Sequence, residues 1–195
     1  MGHSQAEKAE NRERILTEAS RQVRRDGLES VSVGTLMKSV GLTHGGFYGH
    51  FESRSALLAE ALERALLEGE ANAKAQASNG PQSLSDIARG YLSRAHRDAR
   101  DSGCAMAALV SDVARADTSS REVMTDHIEA FIASVSEALG GDQEGSIVAV
   151  SAMIGALALS RVVTDPVLSD TFLKTVRDHV RGLDAEDRSA AARKR

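Results

Sequence analysis

Apolar residues recur at helical spacing along most of the chain. One stripe of the segment from Arg14 to Asp26 is apolar, made of Ile15, Leu16, Ala19 and Val23. Gly27 follows at a position where helices often end, and Ser53 and Ser119 stand where N-caps are expected. No strand-like alternation is found. The pattern predicts an all-α protein of about nine helices, over residues 14–26, 33–40, 44–51, 54–77, 84–100, 104–116, 119–139, 144–164 and 170–183.

Composition agrees with a helical, cytoplasmic protein. The 195 residues are 42% hydrophobic and 27% charged, with one cysteine, and neither a signal peptide nor a membrane-spanning helix is expected. The net charge is −4, but residues 1–54 carry eight basic against seven acidic groups, so the acidic excess lies in the rest of the chain. The less acidic N-terminal part suggests two parts with different partners.

Residues 32–51 carry the most information about function. Two short helices joined at Gly41 would form a helix-turn-helix, whose second helix enters the DNA major groove. The spacing turns five apolar residues inward, namely Leu36, Val40, Leu42, Phe47 and Phe51. It leaves Thr43, His44, Gly45, Tyr48 and His50 facing outward. On spacing alone, an ordinary helical hairpin with an aromatic core is an equal alternative.

Residues 14–62 resemble the DNA-binding domain of the TetR family of transcriptional regulators. The resemblance is carried by Ile15-Leu16, Gly27, Val40-Gly41-Leu42-Thr43, Gly46-Phe47-Tyr48, His50-Phe51 and Ser53-Arg54. It implies a DNA-binding domain at residues 1–54 and an all-helical ligand-binding and dimerisation domain at 55–195. It also implies a DNA-facing set of Thr35, Thr43, His44, Gly45, Tyr48 and His50, with Arg54 in place of a phosphate-binding lysine. Gly34 and Gly49 replace larger residues of the family.

The resemblance further implies a homodimer that binds an operator in double-stranded DNA and is most simply a repressor released by a small effector. An alternative is a helical sensor that acts through a thiol switch at Cys104 or through a protein partner. An enzyme is not expected, because no nucleophile elbow, phosphate-binding loop, paired-carboxylate motif or metal-ligand set is found in the sequence. No cofactor is predicted either.

The middle helices would line the effector site. The candidates are Leu62, Leu66, Tyr91, Met106, Leu109, Val113, Met124, His127, Ile128, Phe131 and Met153, although apolar residues at helical spacing are more often plain core than ligand contacts. Aromatic residues are so few that an aromatic cage for large cations is disfavoured, and a smaller or aliphatic effector fits better.

The last two helices are apolar enough to form half of a four-helix dimer interface, the alternative being the central helix of a monomer. Leu157 and Val176 are expected at this interface. Arg161 is a lone charge in the first of these helices, suited to the negative end of that helix. Cys104, at a helix start, could be a thiolate sensor or a small buried hydrophobic residue.

Overall fold

A computed structural model describes residues 5–75, 83–99 and 102–193. Its α-helices are α1 (Gln5–Asp26), α2 (Val33–Ser39), α3 (Arg54–Ala75), α4 (Leu84–Tyr91), α5 (Arg94–Asp98), α6 (Ala105–Val113), α7 (Thr118–Ala138), α8 (Gln143–Val162) and α9 (Pro166–Arg193). Two 3₁₀ segments, Leu28–Ser30 and His44–Gly49, lie among them. No strand occurs in these ranges, and the predicted all-α fold is confirmed.

Several element boundaries differ from the predicted ones. The expected helix over 84–100 is two helices, because Ser93 begins a new helix by accepting a hydrogen bond from the backbone N–H of His96. Asp117, rather than Ser119, caps α7, with its carboxylate 2.9 Å from the N–H of Ser120. The expected helix over 44–51 is a 3₁₀ segment that contains three glycines, which weaken an α-helix. Residues 76–82, which include the break between the predicted helices over 54–77 and 84–100, lie outside the described residues.

The first of two compact units consists of Met1–Gly69 and Arg100–Asp126. Its core holds three residues of the predicted α1 stripe, Ile15, Ala19 and Val23, together with Phe47 and Leu62, whereas Leu16 of that stripe is only half-buried. Helix α6 belongs to this unit because it packs on α1 and on the 3₁₀ segment that follows α1. The contacts therefore divide the chain at other points than residue 54, and they place part of the predicted C-terminal domain with the helix-turn-helix.

The second unit consists of Glu70–Ala99 and His127–Arg195. Helices α8 and α9 pack on each other, and α4 packs on both. The apolar core residues of this unit include Leu84, Leu92, Met153, Leu157, Leu173 and Val180, each exposing 2% or less of its surface. Leu157 is therefore a core residue of its own protomer, which corrects its predicted place at a dimer interface.

Helix α8 is the one described helix that is long and apolar enough to cross a membrane, with a mean hydropathy of 1.7 over its most apolar window. The expectation that the chain has no membrane-spanning helix is not contradicted by this criterion, which rests on length and composition alone. Only 39% of that window is buried inside the protein. A core helix of a globular protein meets the same criterion, so α8 is weak evidence for a membrane span.

Candidate nucleic-acid interface

Helix α2 and the 3₁₀ segment His44–Gly49 form a compact helix-turn-helix. The turn between them depends on Gly41, whose φ of +74° lies in the left-handed region that other residues adopt at a cost. The N–H of Leu42 bonds to the carbonyl of Met37 at 2.8 Å and closes the turn. Phe47 is fully buried and its ring stacks on that of Phe51 at 5.7 Å. The inward aromatic core expected from the sequence is therefore present.

The outer side of this segment carries the predicted DNA-facing residues. Thr35, Thr43, His44, Gly45 and Tyr48 are exposed, and Tyr48 is 70% exposed. His50 and Arg54 are only half-buried. The structure thus leaves the hydroxyl groups of Thr35, Thr43 and Tyr48 and the imidazole of His44 accessible as hydrogen-bond donors and acceptors.

Gly34 has a structural consequence for His44. A Cβ atom at residue 34 would lie 3.3 Å from Nδ1 of His44, closer than most such contacts. The glycine therefore makes room for the imidazole beside α2. Because Gly34 has no side chain, it offers no side-chain contact of its own, but it leaves space for the ring of His44.

Arg54 has bonds within the protein that the sequence did not reveal. Its Nε donates to the carbonyl of Val31 at 3.0 Å, and its Nη2 lies 3.3–3.4 Å from the carbonyls of Leu28 and Glu29 and from the Glu29 carboxylate. These bonds tie the start of α3 to the segment between α1 and α2. Arginine supplies five donors, so contact with a phosphate remains possible beside them.

Two arginines of α1 also support the helix-turn-helix. Arg14 donates through Nη2 to the carbonyl of Val40, the last residue before the Gly41 turn. Arg12 pairs with Glu60 at 2.5 Å, and its guanidinium lies 4.7 Å from the ring centre of Phe51. Neither contact could be read from sequence spacing, because the partners are 26 to 48 residues away.

The predicted effector-site residues fall into both units. The first unit holds Leu62, Leu66, Leu109, Val113 and Met124, which are buried, and Met106, which is half-buried. The second unit holds Met153, which is buried, and Tyr91, His127, Ile128 and Phe131, which are half-buried.

A ring cluster in the second unit was only partly predicted. The rings of Tyr91 and Phe131 stack at 5.2 Å, and His96 meets Tyr91 edge-on at 5.0 Å. Burial lowers the pKa of His96; the bond of its Nδ1 to the Tyr91 carbonyl, 2.7 Å long, opposes this shift, and the Arg161 guanidinium adds to it. The sequence pattern did not predict His96 in this cluster, because nothing in the sequence indicates that its ring is half-buried against Tyr91.

Polar side chains hold α5 in place. Arg161 donates to the carbonyls of His96 and Arg97 at 3.0 and 3.1 Å, so it bonds to the end of α5 in addition to any effect on its own helix. Asp170 pairs with Arg94 and Arg97, and these bonds lower the pKa of its carboxyl. No residue of α5 is buried. These bonds therefore help to hold this short helix in place.

Cys104 caps the N-terminus of α6. Its Sγ accepts a hydrogen bond from the N–H of Ala107 at 3.4 Å, and the residue is 7% exposed. The thiol is thus both buried and at a helix start, and the choice between a thiolate sensor and a small core residue stays open.

Comparison with known proteins places these observations in a family. Residues 15–61 match the model for "Bacterial regulatory proteins, tetR family". The whole fold is similar to that of reduced NemR from E. coli (20% identity, 89% of this chain and 96% of that one covered, TM-score 0.71). It is also similar to a TetR-family regulator from Cytophaga hutchinsonii (17% identity, 92% and 98% covered, TM-score 0.74). No curated protein matches the chain.

The fold and its exposed segment define a helix-turn-helix domain, and the family that it matches consists of bacterial regulatory proteins. The resemblance to the TetR family is confirmed by the match over residues 15–61, which runs from α1 through the helix-turn-helix into α3. The structural similarities lie below 25% identity and show the shared fold alone.

Proposed function

We propose that the protein is a ligand-responsive repressor that binds an inverted-repeat operator as a homodimer and is released by a small effector. The observation that carries the proposal is the exposed polar surface of Thr43, His44 and Tyr48, held on the buried core of Phe47. A functional surface on a rigid support is typical of DNA-binding helices. The protein acts in the cytoplasm and is not an enzyme.

The exposed residues divide into two kinds of contact. Thr43 and His44, at the start of the segment, read base edges, whereas Tyr48 and Arg54 contact phosphates. Thr35, Gly45 and His50 complete the surface. Gly45 would meet no atom within 4 Å if it carried a Cβ, which allows the backbone to approach DNA closely.

Binding to the DNA upstream of the protein's own gene, compared with random DNA of equal length, tests this function. His44→Ala should reduce the difference in binding free energy between operator and random DNA by roughly 1–3 kcal/mol per half-site. Tyr48→Phe should weaken both alike, because a phosphate contact carries no sequence information. Leu67→Ala, a change on an exposed side chain of α3, serves as the control. Equal affinity of the wild type for both DNAs would contradict the proposal.

The homodimer forms through the outward face of α8 and the start of α9. Six large apolar residues are exposed there, namely Ile147, Val148, Leu159, Val162, Val167 and Leu168. A Cβ on Gly155, in the middle of this face, would meet no atom of a neighbouring element within 4 Å, so a second helix can approach closely. A self-complementary apolar face of this kind fits a two-fold axis. Val176, half-buried in α9, lies further along the same helix.

The effector is a small or aliphatic molecule, since the described aromatic rings near the proposed site stack on each other instead of forming an open cage. The rise in melting temperature on adding candidate compounds would reveal binding, because a ligand that binds only the folded state stabilises it. Phe131→Ala should reduce that rise if the ring pair contacts the effector.

A second candidate function is a thiol switch at Cys104. One similar structure is named as a reduced form, which supports comparing redox states here as well. Cap removal by oxidation would free the Ala107 N–H, now bonded to Sγ. DNA release by oxidant that Cys104→Ser abolishes would favour this candidate over a bound effector.

A further inference from the structure

The 3₁₀ segment Leu28–Ser30, here called the α1–α2 turn, is held at its start by a side chain from far along the sequence. Oδ2 of Asp112, near the end of α6, accepts a hydrogen bond from the N–H of Leu28 at 3.3 Å. The two residues are 84 positions apart. This carboxylate therefore caps the N-terminus of the turn in the way that an aspartate caps a helix from within its own segment.

Gly27 gives independent evidence that this contact is built into the fold. Its φ of +89° lies in the left-handed region, and a Cβ at this position would lie 2.5 Å from Oδ2 of Asp112. Cβ atoms in proteins essentially never approach another heavy atom this closely. Glycine is thus needed at residue 27 for the backbone conformation and also for the approach of the carboxylate.

The α1–α2 turn is also bonded to the start of α3, at both Leu28 and the residues that follow it. Arg54, at the start of α3, donates to the carbonyls of Leu28, Glu29 and Val31. Leu28 and Val31 are each 1% exposed, so their side chains anchor the turn in the core. Helix α2 begins two residues after Val31. The turn is therefore bonded to α6 through Asp112 at its start, and its other end leads directly into α2, the first helix of the helix-turn-helix.

We propose that Asp112 is a positioning residue for DNA binding, which transmits the position of α6 to α2 through the α1–α2 turn. The cap holds only while α6 keeps Oδ2 within hydrogen-bond distance of the Leu28 N–H. A displacement of α6 by an ångström or more breaks it and releases the start of the turn. This inference rests on the proposed function, since its consequence is a change in DNA affinity.

Arg115 provides a matched control. Its Nη2 donates to Oδ1 of Asp112 at 3.0 Å, and its side chain is 72% exposed. Arg115→Ala removes a partner of the same carboxylate and leaves the bond to Leu28 in place. Asp112→Asn keeps an acceptor oxygen for the Leu28 N–H, whereas Asp112→Ala removes it.

The experiment measures three quantities for these variants: hydrogen exchange at the Leu28 amide, affinity for a selected inverted-repeat DNA, and melting temperature. Asp112→Ala should raise Leu28 exchange and weaken DNA binding by roughly tenfold, the effect of losing one bond to a charged group. Asp112→Asn should stay within about threefold of the wild type, and Arg115→Ala should match it. Gly27→Ala, which blocks the contact from the other side, should reproduce the loss.

Affinity loss without a matching fall in melting temperature separates positioning from general stability. Undiminished DNA affinity in Asp112→Ala, with Leu28 exchange raised, would overturn the inference while leaving the proposed function intact. Equal losses of DNA affinity in Asp112→Ala and Asp112→Asn would overturn the inference as well. Failure of the wild type to bind any inverted repeat would contradict the proposed function instead, and the Leu28 exchange would still report whether Asp112 caps the turn.

Discussion

A pair of glutamates on the outward face of α8 should dissociate the proposed dimer without unfolding the protomer. Val148 and Val162 are 61% and 75% exposed, so neither contributes much to the protomer's own core. Each lies on the face that also carries Leu159. The double variant Val148→Glu, Val162→Glu would place four charges in a two-fold apolar contact.

The magnitude follows from the exposed fractions of these side chains. Full burial of a valine side chain stabilises by roughly 1.5–3 kcal/mol, and covering the exposed part of each contributes roughly 1–2 kcal/mol. Two residues in each of two protomers give at least about 4 kcal/mol, which corresponds to a dissociation constant raised by about a thousandfold. Burying unpaired carboxylates would add to this loss.

The assay is analytical sedimentation at protein concentrations from about 0.1 to 100 µM, a range that spans the thousandfold change expected in the dissociation constant. The wild type should have twice the 20.7 kDa mass of the chain, and the variant should have that mass once. Leu67→Glu, at a side chain 51% exposed on α3, should remain dimeric. Leu157→Asp should instead unfold the protomer, because Leu157 is fully buried within it. A variant that stays dimeric with both glutamates would refute this interface.

Three further predictions concern single side chains. The pKa of His96 is lowered in the folded protein, so the unfolded chain takes up the proton first and the free energy of unfolding should fall as the pH drops below about 6.5. In urea unfolding, the difference in that free energy between pH 7.5 and 5.5 should be smaller for His96→Gln than for the wild type. Phe47→Ala should cost about 3–5 kcal/mol in a thermal or urea unfolding experiment, because the ring is fully buried. If Cys104 is only a core residue and cap, Cys104→Ser should keep oxidant-dependent DNA release unchanged, which thiol titration and gel shift together would check.

The helical pattern, the glycine turn and the resemblance could all be derived from sequence because each depends on neighbours within a few positions. Ile15, Ala19 and Val23 share a stripe at helical spacing, and they are buried as predicted. Phe47 and Phe51 follow the same rule within the 3₁₀ segment. The left-handed φ at Gly41 is likewise a local property of the backbone. Local periodicity therefore determined the fold class and the exposed side of the DNA-binding segment.

Contacts between distant residues were decided only by the tertiary structure. Asp112 reaches Leu28, and Arg54 bonds to carbonyls more than 20 residues earlier, and no spacing rule links such partners. Leu157 looked like an interface residue because α8 is apolar nearly all round, which leaves no polar stripe to show which side faces inward. Packing against α9 selected the inner side and left Val148 and Val162 outside. The sequence shows that α8 is apolar on nearly all sides, whereas only the packing of α9 against it determines which of its apolar residues remain exposed.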